Sequence, residues 1–166
     1  MACASAVKNS ICMVFGEISV NGEINFEQVA RKAIKEVGYD SVDIGMDHKT
    51  ATIIVAIDKQ SPDIAQGVHI NKADEDIGAG DQGLMIGYAS DETESFMPLT
   101  HDLCSKLVRR LEECRRSKHV PWMRPDAKVQ VTVEYKKEGH NIVPVRVHTI
   151  LISQQHNPDE IGRAHV

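Results

Sequence analysis

Hydrophobic residues in the first third of the chain predict a strand, a helix and a second strand. The segment Ser10–Val20 is rich in apolar and β-branched residues, which is typical of a strand. In the helix that follows, Asn25 is placed to cap the start and Gly38 to end it. The segment Thr50–Asp58 is almost continuously apolar, which predicts a strand buried on both faces. The apolar residues at helical spacing are Phe26, Val29, Ala30, Ala33, Ile34 and Val37.

The pattern turns polar and loses its periodicity from Gln60 to Asp76, which predicts a functional loop or a linker. A strand formed by the letters LMIGYA is expected next, followed by an amphipathic helix within Pro98–His119. Ala127–Tyr135 and Ile142–Ser153 then alternate with period two around a turn, which predicts an antiparallel hairpin. The helix has its apolar stripe at Leu99, Leu103, Leu107, Val108, Leu111 and Cys114.

This order of elements predicts an α+β protein with two layers of sheet covered by helices. The formal charge of −5 argues against a general binder of nucleic acid or of anionic membranes. No apolar run approaches the ~18 residues of a membrane span, and the first residues lack a secretory pattern. The four cysteines and eight histidines show no zinc spacing. We therefore expect free thiols and a cytoplasmic protein.

The glycine-rich segment Glu75–Ser90 raises a specific alternative, because Gly78–Gly83 reads G-x-G-x-x-G. That pattern binds dinucleotides when its glycines join a buried strand to a helix N-terminus. Here acidic residues precede the glycines, and the letters LMIGYAS that follow are too short and strand-like for such a helix. A glycine-rich turn that enters a strand is the simpler structure. It does not explain Asp81 and Gln82, which could grip a polar ligand.

The same segment, GAGDQGLMIGYA, closely resembles the signature GAGDQGLMFGYA of the S-adenosylmethionine synthetases. Further blocks resemble the family in its order and at its spacing, so the resemblance runs from about Val14 to His156. These blocks are QSPDIAQGVH, DETESFMPLTH, PWMRPDAKVQVTVEY and PVRVHTILISQQH. Several long blocks in register are far more specific than one glycine motif.

The resemblance implies an enzyme that joins L-methionine to ATP, giving S-adenosylmethionine. The enzyme then hydrolyses the tripolyphosphate to diphosphate and phosphate. Members of the family use Mg²⁺ and K⁺, and they work as homodimers or dimers of dimers with the active site between subunits. Each subunit has three α+β domains related by an approximate internal threefold. We therefore expect ATP and L-methionine as ligands, and neither nucleic acid nor membrane as partner.

The resemblance also implies roles for individual residues. Glu17 and Gln60 occupy methionine-binding positions, although Glu17 alone could be an ordinary polar residue at a strand end. Asp81 falls on the acid of the signature, at the methionine or adenosine side of the site. Gln60 is also the first residue of the family's mobile gate, a loop that we expect to close over the active site when substrate binds. The gate comprises Gln60, Ser61, Pro62, Asp63, Ile64, Ala65, Gln66, Gly67, Val68, His69, Ile70, Asn71 and Lys72.

The triplet Asp126, Ala127 and Lys128 corresponds to the ATP-contacting residues of the family. Lys128 would supply positive charge near the phosphates, so Lys128 and Asp81 are the expected catalytic residues. The simpler interpretation of Lys128 is a solvated lysine at a strand start. No metal ligand is expected in this chain, because the resemblance places the family's EGHPDK loop before its start. It places the GGGAFSGKD loop and the third domain beyond its end.

The resemblance finally divides the chain. We expect residues 1–64 to be the latter part of the N-terminal domain, 65–77 a mobile loop or linker, and 78–159 an incomplete central domain. One set of codons that encodes residues 160–166 matches a common sequencing adapter, so we expect an adapter-derived tail on a truncated translation. We expect this chain alone to be inactive. The alternative is a non-catalytic truncated partner of a full-length synthetase.

Overall fold

A three-stranded sheet with one packed helix makes up most of the first unit, residues 1–85 of the computed structural model. The structure describes residues 2–78, 80, 83–139 and 141–160. Strand β1 (Ala2–Lys8) pairs antiparallel with β2 (Ile11–Glu17), and β2 pairs in parallel with β5 (Thr52–Asp58). The predicted strands are therefore confirmed as β2 and β5. Strand β1 was not anticipated, because its small and polar residues carry no strand pattern.

Helix α1 (Phe26–Val37) connects β2 to the following elements, and both of its predicted ends are confirmed. The Asn25 side chain accepts a hydrogen bond from the Gln28 N–H at 2.9 Å. Gly38 ends the helix with φ of 112°, a conformation that glycine adopts without strain. Two short strands, β3 (Asp40–Ser41) and β4 (Met46–Asp47), complete this part of the unit. The buried core between helix and sheet consists of Cys12, Ile34, Met46 and Ala51.

The prediction that β5 is buried on both faces is wrong. Ile53 packs against the core below α1, whereas its neighbour Ile54 points to the other face of the sheet and is 40% exposed. The outer face of β2 is similarly open, since Met13 and Phe15 are 38% and 39% exposed. One helix covers only one face of a sheet, so the apolar outer face has no cover within the described residues.

Helix α3 (Leu99–Arg116) and a long antiparallel hairpin form the second unit, residues 86–166. The hairpin strands are β6 (Met123–Glu138) and β7 (Asn141–His156), so both the predicted helix and the predicted hairpin are confirmed. The helix packs on β6, where the Cys104 thiol lies 3.7 Å from the Val129 carbonyl oxygen. Val108 was placed in the apolar stripe, but it is 41% exposed, because the stripe is narrower than the spacing suggests.

None of the described helices is at once long and apolar enough to cross a membrane. Among the described residues, the buried ones are few and apolar, and no polar or charged residue is buried. Strand β7 carries several exposed aliphatic side chains. They are Ile142, Val143, Val145, Val147, Ile150, Leu151 and Ile152.

Candidate active site

Two carboxylates stand side by side where β2 and β5 end. Glu17 is the last residue of β2, Asp58 is the last of β5, and the parallel register pairs them directly. The Ile18 N–H donates to the Asp58 carbonyl at 2.9 Å, which holds the two strand ends together. Both residues are exposed. Neighbouring carboxylates of this kind favour a positively charged group between them, such as a substrate ammonium.

Asp58 is a further candidate site residue that the sequence analysis did not name, although a signal for it was available. It ends the predicted strand Thr50–Asp58, and it precedes Gln60 by two residues. Parallel strands expose their carboxyl ends at the same sheet edge, so an acid that ends one strand lies beside an acid that ends its neighbour. Glu17, Asp58 and Gln60 therefore share one edge of the first unit.

Gly16 shapes the backbone immediately before Glu17. Its φ of 137° lies in a region that other residues rarely adopt. A Cβ at this position would lie only 2.0 Å from the Ala2 carbonyl oxygen on β1. The missing side chain therefore allows β1 to approach β2 next to Glu17.

The segment Gln60–Asp76, predicted to be a loop or linker from its polar and aperiodic sequence, contains a short helix, α2 (Pro62–Val68). Pro62 occupies the first turn, where its fixed φ suits a helix. Asp63 also lies in the first turn, where the helix dipole favours a carboxylate. A helix of 7 residues completes only about two turns. This length is too short for apolar periodicity to be visible in the sequence.

The gate residues make their own hydrogen bonds beyond the helix. The N–H groups of His69 and Ile70 both donate to the Ala65 carbonyl at 3.0 Å. The Lys72 ammonium donates to the Gly67 carbonyl. Of residues 60–72, all of which the structure describes, Ala65 alone is buried. The segment therefore has local hydrogen bonds but few buried side chains.

The glycine-rich segment begins at the end of the gate, where the Gly78 N–H donates to the Val68 carbonyl at 2.9 Å. Asp81 and Gln82 lie outside the described residues. Gly80 has φ of 131°, a conformation that residues other than glycine rarely adopt. No helix begins at Gly83, and residues 83–90 form neither helix nor strand. The described residues thus lack the strand-to-helix junction that a dinucleotide fingerprint requires.

The predicted strand in LMIGYA is wrong. Its large side chains are almost fully exposed, with Leu84 at 88% and Met85 at 86%. A strand needs a partner for its backbone groups, and the described residues provide no hydrogen-bonded neighbour for this segment. The composition of the segment is compatible with a strand, but a strand also requires a neighbouring strand to pair with.

The triplet Asp126–Lys128 lies where β6 passes from an irregular start into its regular ladder. Pairing runs from Met123 with His156 to Ala127 with Gln154, so three residues of β6 oppose one of β7. This is a β-bulge, a feature that often redirects side chains next to functional sites. Asp126 and Lys128 are exposed, and Lys128 lies on the strand face opposite Val129, which contacts α3.

Glu92 joins three parts of the second unit, and it was missed as an organising residue. The Tyr135 hydroxyl on β6 donates to its carboxylate at 2.6 Å, and the Ser90 hydroxyl donates at 2.8 Å. The first N–H of α3, at Leu99, also donates to it at 3.4 Å. The bond from Tyr135 lowers the pKa of Glu92 and raises the pKa of Tyr135 to about 12. These bonds attach the end of the glycine-rich segment to α3 and β6.

The described residues contain no group of three or more His, Cys, Asp or Glu that could hold a metal ion. Their four cysteines, Cys3, Cys12, Cys104 and Cys114, are all free thiols. The predicted free thiols are confirmed. Three features remain as candidates for a functional site. They are the acids at the ends of β2 and β5, residues 60–72, and the bulge on β6.

Comparison with protein families assigns both parts of the chain. The N-terminal domain of S-adenosylmethionine synthetase matches residues 1–62. The central domain of the same enzymes matches residues 76–166, which is more than half of the chain. The mixed sheets and three helices of the structure agree with these two domains. The chain therefore belongs to the S-adenosylmethionine synthetase family.

Proposed function

We propose that this chain supplies methionine-binding and ATP-binding residues of a cytoplasmic S-adenosylmethionine synthetase. The reaction would join L-methionine to ATP and then hydrolyse the tripolyphosphate to diphosphate and phosphate. The family match over both domains carries this proposal. Within it, residues 1–64 belong to the N-terminal domain, 65–77 to the linking loop, and 78–159 to the central domain.

Methionine would bind at the shared end of β2 and β5. The carboxylates of Glu17 and Asp58, paired in register, suit the substrate ammonium. Gln60 follows β5 by two residues and has both a donor and an acceptor for the amino acid. The proposal thus extends the predicted pair Glu17 and Gln60 by one residue, Asp58.

ATP would contact the bulge of β6. The exposed Lys128 ammonium can stabilise the charge that develops on the leaving tripolyphosphate, and Asp126 and Ala127 precede it on the bulge. Asp81, the acid of the glycine-rich segment, is proposed to contribute to the methionine or adenosine side of the family's active site. The gate from Gln60 to Lys72 would close over the bound substrates.

The chemistry of the reaction explains why these residues need not include a general base. Methionine sulfur has a free electron pair and no proton, so its attack on the ribose 5′ carbon needs no general base. The sulfur–carbon bond forms while the carbon–oxygen bond to the tripolyphosphate breaks. The protein must therefore align three atoms and stabilise the leaving group.

Mg²⁺ and K⁺ are implied by the family, and the described residues contain no group of three or more His, Cys, Asp or Glu that could hold a metal ion. We therefore derive no step through these ions from the residues of this chain. The motifs EGHPDK and GGGAFSGKD, which bind metal and phosphate in the family, do not occur in this sequence.

A second subunit would cover the outer face of the first sheet, in a homodimer or a dimer of dimers. This face is apolar from β1 through β2 to β5, and it ends at the Glu17–Asp58 pair. Its apolar residues are Ala4, Ala6, Met13, Phe15, Ile54 and Ala56. An uncovered face of this composition is typical of a protein interface.

The assignment is tested by substitution in a full-length synthetase that carries these residues. Lys128→Ala should raise the activation free energy of the chemical step by on the order of 2–4 kcal/mol if the Lys128 charge faces the transition state. Gln60→Ala should mainly raise the KM for methionine, and Asp81→Asn should impair turnover without unfolding. Steady-state kinetics with each substrate varied would measure these effects. Near-normal kinetics in all three variants would contradict the assignment.

A further inference from the structure

We infer that Gln154 and Gln155 are positioning residues that hold the Asp126–Lys128 triplet in place. The inference rests on the proposed function, since it concerns the residues proposed to contact ATP. It starts from a deficit in the β6–β7 ladder. Between the pairs Met123–His156 and Ala127–Gln154, regular strand hydrogen bonds are interrupted, and Pro125 has no N–H to donate.

The two glutamine side chains take the place of the missing ladder. The Gln155 Oε1 accepts from the Asp126 N–H at 3.2 Å. The Gln154 Nε2 lies 2.6 Å from the Arg124 carbonyl oxygen and 3.2 Å from the Asp126 carbonyl oxygen. The backbone of Asp126 is therefore held at both its N–H and its C=O by side chains from β7.

Further hydrogen bonds hold the residues on either side of the bulge. The Gln154 Nε2 also lies 2.9 Å from the Gln155 carbonyl oxygen, which joins the two glutamines. The Arg124 Nε donates to the Asn157 side chain at 2.9 Å, and the Asn157 N–H donates to the Trp122 carbonyl at 3.0 Å. The bulge is thus fixed before, within and after Asp126.

This bracing has a direct consequence for the site. Asp126 and Lys128 are both exposed, so side-chain packing does little to orient them. Their directions follow from the backbone, which the two glutamines hold. A residue that must meet a phosphate at hydrogen-bond distance requires such a support, because small displacements weaken transition-state contacts.

The Gln155 side chain accepts a hydrogen bond and the Gln154 side chain donates, so different substitutions test the two residues. Gln155 acts as an acceptor, so Gln155→Glu should retain the bond to the Asp126 N–H, whereas Gln155→Met should remove it. Gln154 acts as a donor to carbonyl groups, so Gln154→Glu should repel them at nearly unchanged size. Gln130→Met on β6 is the control, because no hydrogen bond of the Gln130 side chain is seen among the described residues.

The first measurement is amide hydrogen exchange on the 166-residue chain. Gln155→Met should speed exchange of the Asp126 amide by about tenfold, the equivalent of one hydrogen bond, and leave Val131 and Val133 unchanged. Gln155→Glu should restore the protection of Asp126. Unchanged exchange at Asp126 in both Gln155→Met and Gln154→Glu would overturn the inference.

The second measurement is kinetics in a full-length synthetase with the same residues. Gln155→Met and Gln154→Glu should raise the KM for ATP or lower kcat, with the KM for methionine unchanged, and Gln155→Glu should recover activity. If Lys128→Ala impairs ATP use but the glutamine variants do not, the inference fails and the proposed function stands. If Lys128→Ala also has no effect, the proposed ATP role fails, and this inference fails with it.

Discussion

Gly16 shows most directly how one residue can decide the geometry next to the site. A Cβ at this position would clash with the Ala2 carbonyl oxygen at 2.0 Å, and the φ of 137° is strained for any L side chain. We expect Gly16→Ala to lower the free energy of unfolding by more than the roughly 1–3 kcal/mol of backbone strain alone. Chemical denaturation of the chain would measure the loss.

Gly22→Ala provides the matched control for this prediction. Gly22 also has a positive φ, of 121°, but no atom lies within 4 Å of a Cβ placed there. Its substitution should therefore cost strain without a clash. Equal destabilisation by the two substitutions would show that the approach of β1 to β2 does not depend on Gly16.

The Tyr135–Glu92 hydrogen bond predicts a response to pH. The bond raises the pKa of Tyr135 from its ordinary 10.0 to about 12. Stability from this group is therefore fully present below pH 10 and is lost as the pH rises through about 12. In an ultraviolet absorbance titration, Tyr135 should therefore ionise at a higher pH than an ordinary tyrosine.

Tyr135→Phe identifies the group in that titration. The late-ionising tyrosine should disappear in this variant, whereas Tyr39→Phe should leave it in place. The same bond lowers the pKa of Glu92 from 4.5. Its stabilisation is therefore present above pH 4.5 and is lost as the pH falls through the lower folded value. Ionisation of Tyr135 near its ordinary pKa of 10.0 would contradict the contact.

At the scale of elements, α2 provides a way to test the gate. Gly67 lies in this helix without a positive φ, and no atom lies within 4 Å of a Cβ placed there. Gly67→Ala should therefore stabilise the helix by about 0.5–1 kcal/mol, because alanine loses less backbone entropy on folding. Slower amide exchange at His69 and Ile70, which donate to Ala65, would measure it.

The same variant connects the helix to function. If the gate must unfold or move to admit substrates, a more stable α2 should lower kcat in a full-length synthetase. Faster exchange at His69 in Gly67→Ala would show that residues 62–68 are not helical in solution.

At the scale of the whole molecule, we expect the 166-residue chain to make no S-adenosylmethionine by itself. It lacks the EGHPDK and GGGAFSGKD motifs whose groups neutralise the leaving tripolyphosphate in the family. Product formation with ATP, methionine, Mg²⁺ and K⁺ is the measurement. Robust turnover by the chain alone would contradict the expectation.

The exposed apolar faces also predict association. Phe15 and Ile54 on the first sheet, and Ile150 and Leu151 on β7, are between 39% and 55% exposed. Such surfaces favour self-association or poor solubility. Sedimentation at increasing concentration should show this, and Phe15→Glu should reduce it. Purely monomeric behaviour at all concentrations would indicate that these faces need no partner.

Local rules of the chain were enough to place α1, α3, β2, β5 and the final hairpin. Apolar spacing, the Asn25 cap and the Gly38 stop act over a few residues, so they can be identified without the rest of the fold. The sequence motifs were also enough to identify the family, since the two synthetase domains that they indicated match the chain.

Tertiary structure decided what depends on distant partners. The letters LMIGYA have a strand composition but remain unpaired in the described residues, and Ile54 stays exposed because one helix covers one face. The pairing of Glu17 with Asp58 and the bracing of Asp126 by Gln155 join residues far apart in sequence. Sequence alone determined which groups the chain carries, whereas register and bulge geometry determined which of them meet. The physical reason is that backbone pairing and packing depend on partners that local patterns do not specify.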